Sequence, residues 1–205
     1  IGGIGACFSP GVSSISGFEK QCAELGIPVY LADASVDGPA EEHPLFNFRR
    51  QYLGAAERPG YMTLADWVAS SVADEQADLM MQMDIEGYEW EVLLEARQHL
   101  LSRFRIIIIE FHKLTGLCAR TRESDQKIHV FNKLLDTHAC VHIHPNNCCG
   151  MVECGFLATP PVMEFTFLRR DRLRHASFQS QFPHQLDADN TSKETIVLPS
   201  CWYRS

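Results

Sequence analysis

The sequence predicts an α/β fold built on a doubly wound, mostly parallel seven-stranded sheet with one antiparallel edge strand. Three observations predict it. Apolar runs of strand length alternate with stretches of helical period, the pattern of βαβ units. One run, Arg105 to Phe111, has little polar content before Glu110, as a central parallel strand requires. The last two runs, Cys140 to His144 and Val162 to Leu168, follow each other closely and fit a hairpin-like antiparallel unit at the sheet edge.

Each element has its own warrant. Ile4 to Phe8 is a short strand, and Ser9 to Ser14 a turn of small residues. Ile15, Phe18, Cys22 and Leu25 have helical spacing, with Gly26 placed as a C-cap. Ile27 to Ala32 is a strand ending in Asp33, and Asp37 to Pro44 a loop. Phe46 to Leu53 alternates as a strand does, and Ala55 to Gly60 is a second loop. Thr63 can cap a helix running through Val72, with Asp66 in place of the usual capping-box Glu. Leu79 to Met83 is a strand, Tyr88 to Leu101 a helix and Ser124 to Leu135 an amphipathic helix. From Arg169 onward the chain is polar and irregular and is expected to wrap the surface.

Composition narrows the function classes. The chain of 205 residues, 45% hydrophobic and 21% charged, suits one globular domain over 1–205, with 170–205 as an irregular extension. A net charge of −8 lacks the basic face that nucleic acid requires. No apolar run reaches the ~20 residues of a membrane span. The chain starts without Met, no leader is visible, and a cytoplasmic location is expected. Eight cysteines in a chain of this length read as free thiols in a reducing compartment.

Four constellations carry chemistry. The turn holding Ser9, Gly11 and Ser13 lies between a strand and a helix, where a ligand meets unsatisfied N–H groups. Asp33 follows Gly11 by 22 residues, the spacing at which dinucleotide folds place a ribose ligand. A plain strand-to-helix turn with a surface Asp is the competing reading. The turn is not G-x-G-x-x-G, and no P-loop lysine follows. Next, Asp84 closes a strand ahead of Glu86 and Glu89, whose charges suit a helix start. Third, Glu110 and His112 share one side of a strand end. With Asp84 they make an acid/base cluster or a metal site; a hydrogen-bonded strand end is the alternative. Fourth, His142 and His144 share a strand face ahead of Asn146, Asn147, Cys148 and Cys149. The cysteine spacing there, with Cys154, matches no standard zinc pattern. A polar rim that orients a substrate hydroxyl and a structural turn both fit.

Taken together these residues resemble the FkbM family of S-adenosylmethionine-dependent methyltransferases. Its signature, Lys-x-Asp-x-Glu-Gly-x-Glu before a helix, reads here Gln82-Met83-Asp84-Ile85-Glu86-Gly87-Tyr88-Glu89. Thr63-Leu64-Ala65-Asp66-Trp67 precedes it, and Ile107 to His112 matches the next strand. His144 to Asn147 and Glu164-Phe165-Thr166-Phe167 match the later loop and strand. Two features depart from the pattern. Gln82 replaces Lys, and Phe8-Ser9-Pro10-Gly11-Val12-Ser13 replaces the usual Asp-x-Gly-x-x-x-Gly loop.

The resemblance implies a Rossmann-like class I methyltransferase fold, incomplete at its start. It implies S-adenosylmethionine held by Asp33 through the ribose, with Ser9, Gly11, Ser13 and Asp84 around it. His112 would be the base, and Asp84 and Glu110 would orient it or hold Mg²⁺. His144, Asn146 and Asn147 would meet the acceptor, a hydroxyl of a sugar, glycolipid or secondary metabolite. The expected partner is thus a small molecule or glycan, with homodimerisation compatible. A non-catalytic protein keeping the fold, and a nicotinamide-dependent oxidoreductase, stand as alternatives.

Overall fold

A computed structural model describes residues 1–119, 121–154, 157–179 and 182–203, the side chain of residue 154 excepted. Positions 180–181 and 204–205 of the expected C-terminal extension lie outside the described residues, as does the Cys154 side chain weighed for zinc. The strands are β1 (Ile4–Pro10), β2 (Val29–Ala32), β3 (Phe46–Arg49), β4 (Tyr52–Leu53), β5 (Tyr61–Met62), β6 (Asp78–Met83), β7 (Phe104–Phe111), β8 (His138–Pro145), β9 (Val152–Cys154), β10 (Leu157–Thr159) and β11 (Met163–Arg169). The helices are α1 (Gly17–Glu24), α2 (Leu64–Ser71), α3 (Glu89–Glu95), α4 (Gln98–Leu101) and α5 (Arg122–Thr137). Seven strands form one mixed sheet in the order β3-β2-β1-β6-β7-β11-β8. The run from β3 to β7 is parallel, and the β11–β8 pair at the edge is antiparallel. The chain divides into two compact units, Ile1–Ile109 and Glu110–Ser205.

In the first unit, β1 is buried along almost its whole length. Alternating side chains send Phe8 to one face and Cys7 to the other. Phe8 stacks on Tyr30 at 5.1 Å and meets the edge of Trp67, on α2, at 5.0 Å. Cys7 joins Cys22 and Ala23 of α1, Val29, Leu31 and Met80 in a second apolar cluster. One helix on each face is the doubly wound arrangement. Burial of a side chain such as Phe8 contributes roughly 1.5–3 kcal/mol. At the amino ends of the strands, Arg105 donates to the Ile1 and Gly2 carbonyls and lies 3.4 Å from Asp78.

Thr63 caps α2 as expected. Its hydroxyl accepts the Asp66 N–H at 3.1 Å and donates to the Asp66 carboxylate at 2.6 Å. Two expected elements are interrupted. The strand proposed for Phe46 to Leu53 turns where Gln51 N–H reaches the Arg49 carbonyl, and β4 leaves to pair with β5. The helix proposed for Tyr88 to Leu101 stops at Ala96, whose ψ of 125° is extended, and resumes as α4.

In the second unit, Phe111, Phe131 and Phe165 pack with ring centroids 5.2–5.6 Å apart. Thr121 and Ser124 form a capping box on α5. The loop expected between β8 and β11 contains the hairpin β9–β10. Cys7, Cys22, Cys140, Cys148, Cys149 and Cys201 are free thiols. Cys118 is disulfide-bonded, which corrects the expectation of free thiols throughout. That expectation weighed core size, which does not decide whether two sulfurs meet. No helix among the described residues is long and apolar enough to cross a membrane.

Candidate active site

Within the first unit the site begins at the carboxyl ends of β1 and β2. Asp33 Oδ2 accepts the Val12 N–H at 3.0 Å, and Oδ1 accepts the Ser35 N–H and hydroxyl at 2.7 and 2.6 Å. An ionised carboxylate offers about four lone-pair sites, so Asp33 keeps capacity for a further donor. Ser13 is exposed, its hydroxyl exchanging hydrogen bonds with Ile15. Gly11, at φ +90°, donates its N–H to the Ala32 carbonyl. A Cβ built there would lie 1.6 Å from the Asp84 carbonyl oxygen. The glycine therefore lets the β1 turn cross the end of β6, and that backbone fills the space a side chain would need.

Ser9 departs from its expected place in a cofactor turn. Strand β1 runs on to Pro10, and Ser9 is fully buried. Its oxygen lies 2.6 Å from Glu19 on α1 and 2.9 Å from Gln82 on β6. A hydroxyl has one hydrogen. The Glu19 carboxylate and the Gln82 amide oxygen both lie within reach of it as acceptors. Gln82, the departure from the family signature, is thus part of a buried network holding α1 to the sheet.

The turn after β6 is also built from its own acids. Glu89, fully buried, accepts the N–H groups of Ile85 and Gly87 at 3.0 and 3.1 Å. This is a stronger role than a favourable helix-start charge. It holds Glu86 and Gly87 at φ +57° and +102°, backbone that a non-glycine residue such as Glu86 adopts only under constraint. Asp84, its N–H on the Pro10 carbonyl, leads into this turn. The β6–β7 register pairs Met83 with Ile109.

In the second unit, Glu110 Oε2 lies 3.7 Å from His112 Nε2, both side chains largely buried. Asn146 donates to Glu110 Oε1 at 2.9 Å, so the loop after β8 does reach this pair. Asn147 is bonded instead to the C-terminal segment. It is 2% exposed, donates to the Thr191 and Lys193 carbonyls, and accepts from the Thr191 N–H and hydroxyl. All four of its hydrogen-bonding positions are engaged, and it clamps the C-terminal segment.

His144 lies 3.5 Å from Asp187, whose other oxygen takes His142 at 2.9 Å. Asp187 lies on the C-terminal segment across the shared face of β8. Glu164 pairs with His144 on β11. Burial, opposed by the nearby histidines, pushes its carboxyl above the usual range. Sequence reasoning missed Glu19, Glu89 and Asp187. Glu89 had a signal in its place within the signature, but Asp187 and Glu19 had none.

The model of the methyltransferase FkbM domain matches residues 33–134. No curated protein matches the sequence. Among solved structures, a protein assigned as a methyltransferase from Thermoplasma acidophilum is similar at 8% identity and a TM-score of 0.40, over 83% of this chain and 70% of that one. TrmN from Thermus thermophilus is similar at 13% identity and 0.38, over 81% of this chain and 44% of that one. A mutant of the 16S rRNA (adenine(1408)-N(1))-methyltransferase from Catenulisporales acidiphilia is similar at 12% and 0.38, over 80% and 84%.

Proposed function

Through residues 33–134 the chain belongs to the FkbM methyltransferase family, and from that premise we propose that it transfers a methyl group from S-adenosylmethionine to a hydroxyl oxygen of a small-molecule or glycan acceptor. One observation carries the cofactor half of this reading. Asp33, at the end of β2, is bonded to Val12 in the turn after β1 and keeps acceptor capacity. In open α/β sheets ligands bind outside the carboxyl ends of the strands, and a carboxylate there accepts ribose hydroxyls.

S-adenosylmethionine supplies, when bound, a methyl group on a sulfonium that is open to in-line displacement. The chain's own residues do the rest. Asp33 and the Val12 turn hold the ribose, Ser13 and Asp84 border the cofactor, and Gly11 keeps the turn seated on β6. His112 takes the proton of the acceptor hydroxyl on a ring nitrogen as the new C–O bond forms. Glu110, 3.7 Å away, orients His112. Asn146 fixes Glu110, and His144 borders the acceptor.

The test is calorimetric titration with S-adenosylhomocysteine, then methyl transfer from labelled S-adenosylmethionine across a panel of hydroxylated acceptors. Absence of cofactor binding would overturn the reading. Binding without turnover on any acceptor would favour a non-catalytic protein.

A further inference from the structure

We propose that Cys148 and Cys149 form a reversible dithiol–disulfide site, closed by a low-molecular-weight disulfide, whose closure releases Asn146 from Glu110. Consecutive side chains in an extended strand point to opposite faces. After β8 the chain instead turns, with Gly150 at φ +68°, and the two sulfurs lie 2.7 Å apart. Cys149 is exposed and Cys148 partly so. The loop backbone is held up to and at Cys148. Asn146 Oδ1 accepts the Cys148 N–H at 3.0 Å, Lys193 Nζ donates to the Cys148 carbonyl, and Asn147 is clamped. The thiols are therefore presented together in the folded protein, which favours an intramolecular second step.

Their environments assign the order of attack. Burial, then the contact with Cys149 and the Glu110 charge, push the Cys148 thiol up to about 11, with Lys193 opposing. Exposed Cys149 attacks the small disulfide first, expelling one thiol and leaving a mixed disulfide. Cys148 then attacks the protein-side sulfur and expels the second thiol. The two cysteines lose two electrons and two protons, and one small disulfide becomes two thiols. Adjacent Cα atoms are about 3.8 Å apart, below the usual disulfide span of roughly 4.4–6.8 Å. The bond is therefore labile, as a switch requires.

Closure twists the peptide units around Cys148, whose N–H is bonded to Asn146, and Asn146 in turn holds Glu110. That consequence for catalysis rests on the methyl-transfer reading; the chemistry of the thiols does not. The intact protein is incubated with glutathione disulfide, digested and weighed by mass spectrometry. The expected result is loss of two hydrogens from the peptide spanning 148–149, without retained glutathione, reversed by dithiothreitol. In Cys148→Ser the reaction should stop with glutathione on Cys149, and Cys149→Ser should not form the bond. A persistent adduct on the wild type, or an unreacted pair while Cys201 is modified, would overturn the site. Methyl transfer by the oxidised protein should fall by about tenfold or more, the loss of one hydrogen bond to a charged group. Unchanged transfer by a fully oxidised protein would overturn the coupling to Glu110.

Discussion

The Asp33 carboxylate accepts the Val12 N–H at 3.0 Å, fastening the end of β2 to the turn after β1. One side chain thus organises the turn and offers itself to a ribose. Asp33→Ala should weaken binding of S-adenosylhomocysteine by about ten- to a hundredfold, the worth of a charge-assisted hydrogen bond. Asp33→Asn, which keeps an acceptor for Val12, should hold the fold while losing affinity. Calorimetry on the two variants separates the roles, and unchanged affinity in both would refute the ribose contact.

Ser9 bridges Glu19 and Gln82 inside the first unit. Ser9→Ala removes the bridge and leaves the buried Glu19 carboxylate short of a partner, at a cost of about 1–3 kcal/mol. Urea unfolding should show a lower midpoint with an unchanged slope. Gln82→Lys in the same background should recover part of the loss, because an ammonium there faces the Glu19 carboxylate.

Glu164 predicts a pH dependence of opposite sign to most carboxylates. Burial raises its carboxyl in the folded protein above the ordinary value of 4.5. The folded state then holds its proton more tightly than the unfolded chain. The stabilising contribution is complete below 4.5 and is lost as pH rises through the folded value. Glu164→Gln should therefore raise the unfolding midpoint at neutral pH, with the advantage vanishing as pH falls toward 4. A constant difference across that range would refute the assignment.

The central strands and the Thr63 cap are legible because each rests on local periodicity or a short capping pattern. The stop at Ala96 is not, since neither Gly nor Pro marks it and the break is a backbone choice made by packing. Ser9 and Asn147 were read as site residues because small or polar residues near a turn look available. Their partners come from 10 to 73 residues away, and only the fold reveals that they are occupied. Asp187 was illegible for the same reason, being one acid in an irregular segment.

Asn147 should behave as a clamp. Asn147→Ala leaves the carbonyls of Thr191 and Lys193 and the Thr191 N–H without their partner. A loss of about 1–3 kcal/mol is expected if one of these groups stays unsatisfied. Hydrogen exchange should accelerate at Thr191 and Lys193, and limited proteolysis should begin in the C-terminal segment. The KM for an acceptor should stay unchanged under conditions where the variant is folded. A raised KM without faster exchange would return Asn147 to the acceptor site.

His112 and Glu110, 3.7 Å apart and largely buried, are the pair to which the proposed function assigns the chemical step. A positioned general base contributes about 10²–10⁴ in rate. His112→Ala should lower kcat by that order while leaving affinity for S-adenosylhomocysteine unchanged. Glu110→Gln keeps the hydrogen bond to Asn146 but removes the charge beside His112. It should lower kcat by less than the loss of His112 does. An undiminished kcat for His112→Ala at saturating cofactor would remove His112 as the base. An undiminished kcat for Glu110→Gln would remove the Glu110 charge from the chemical step and leave Glu110 an anchor for Asn146.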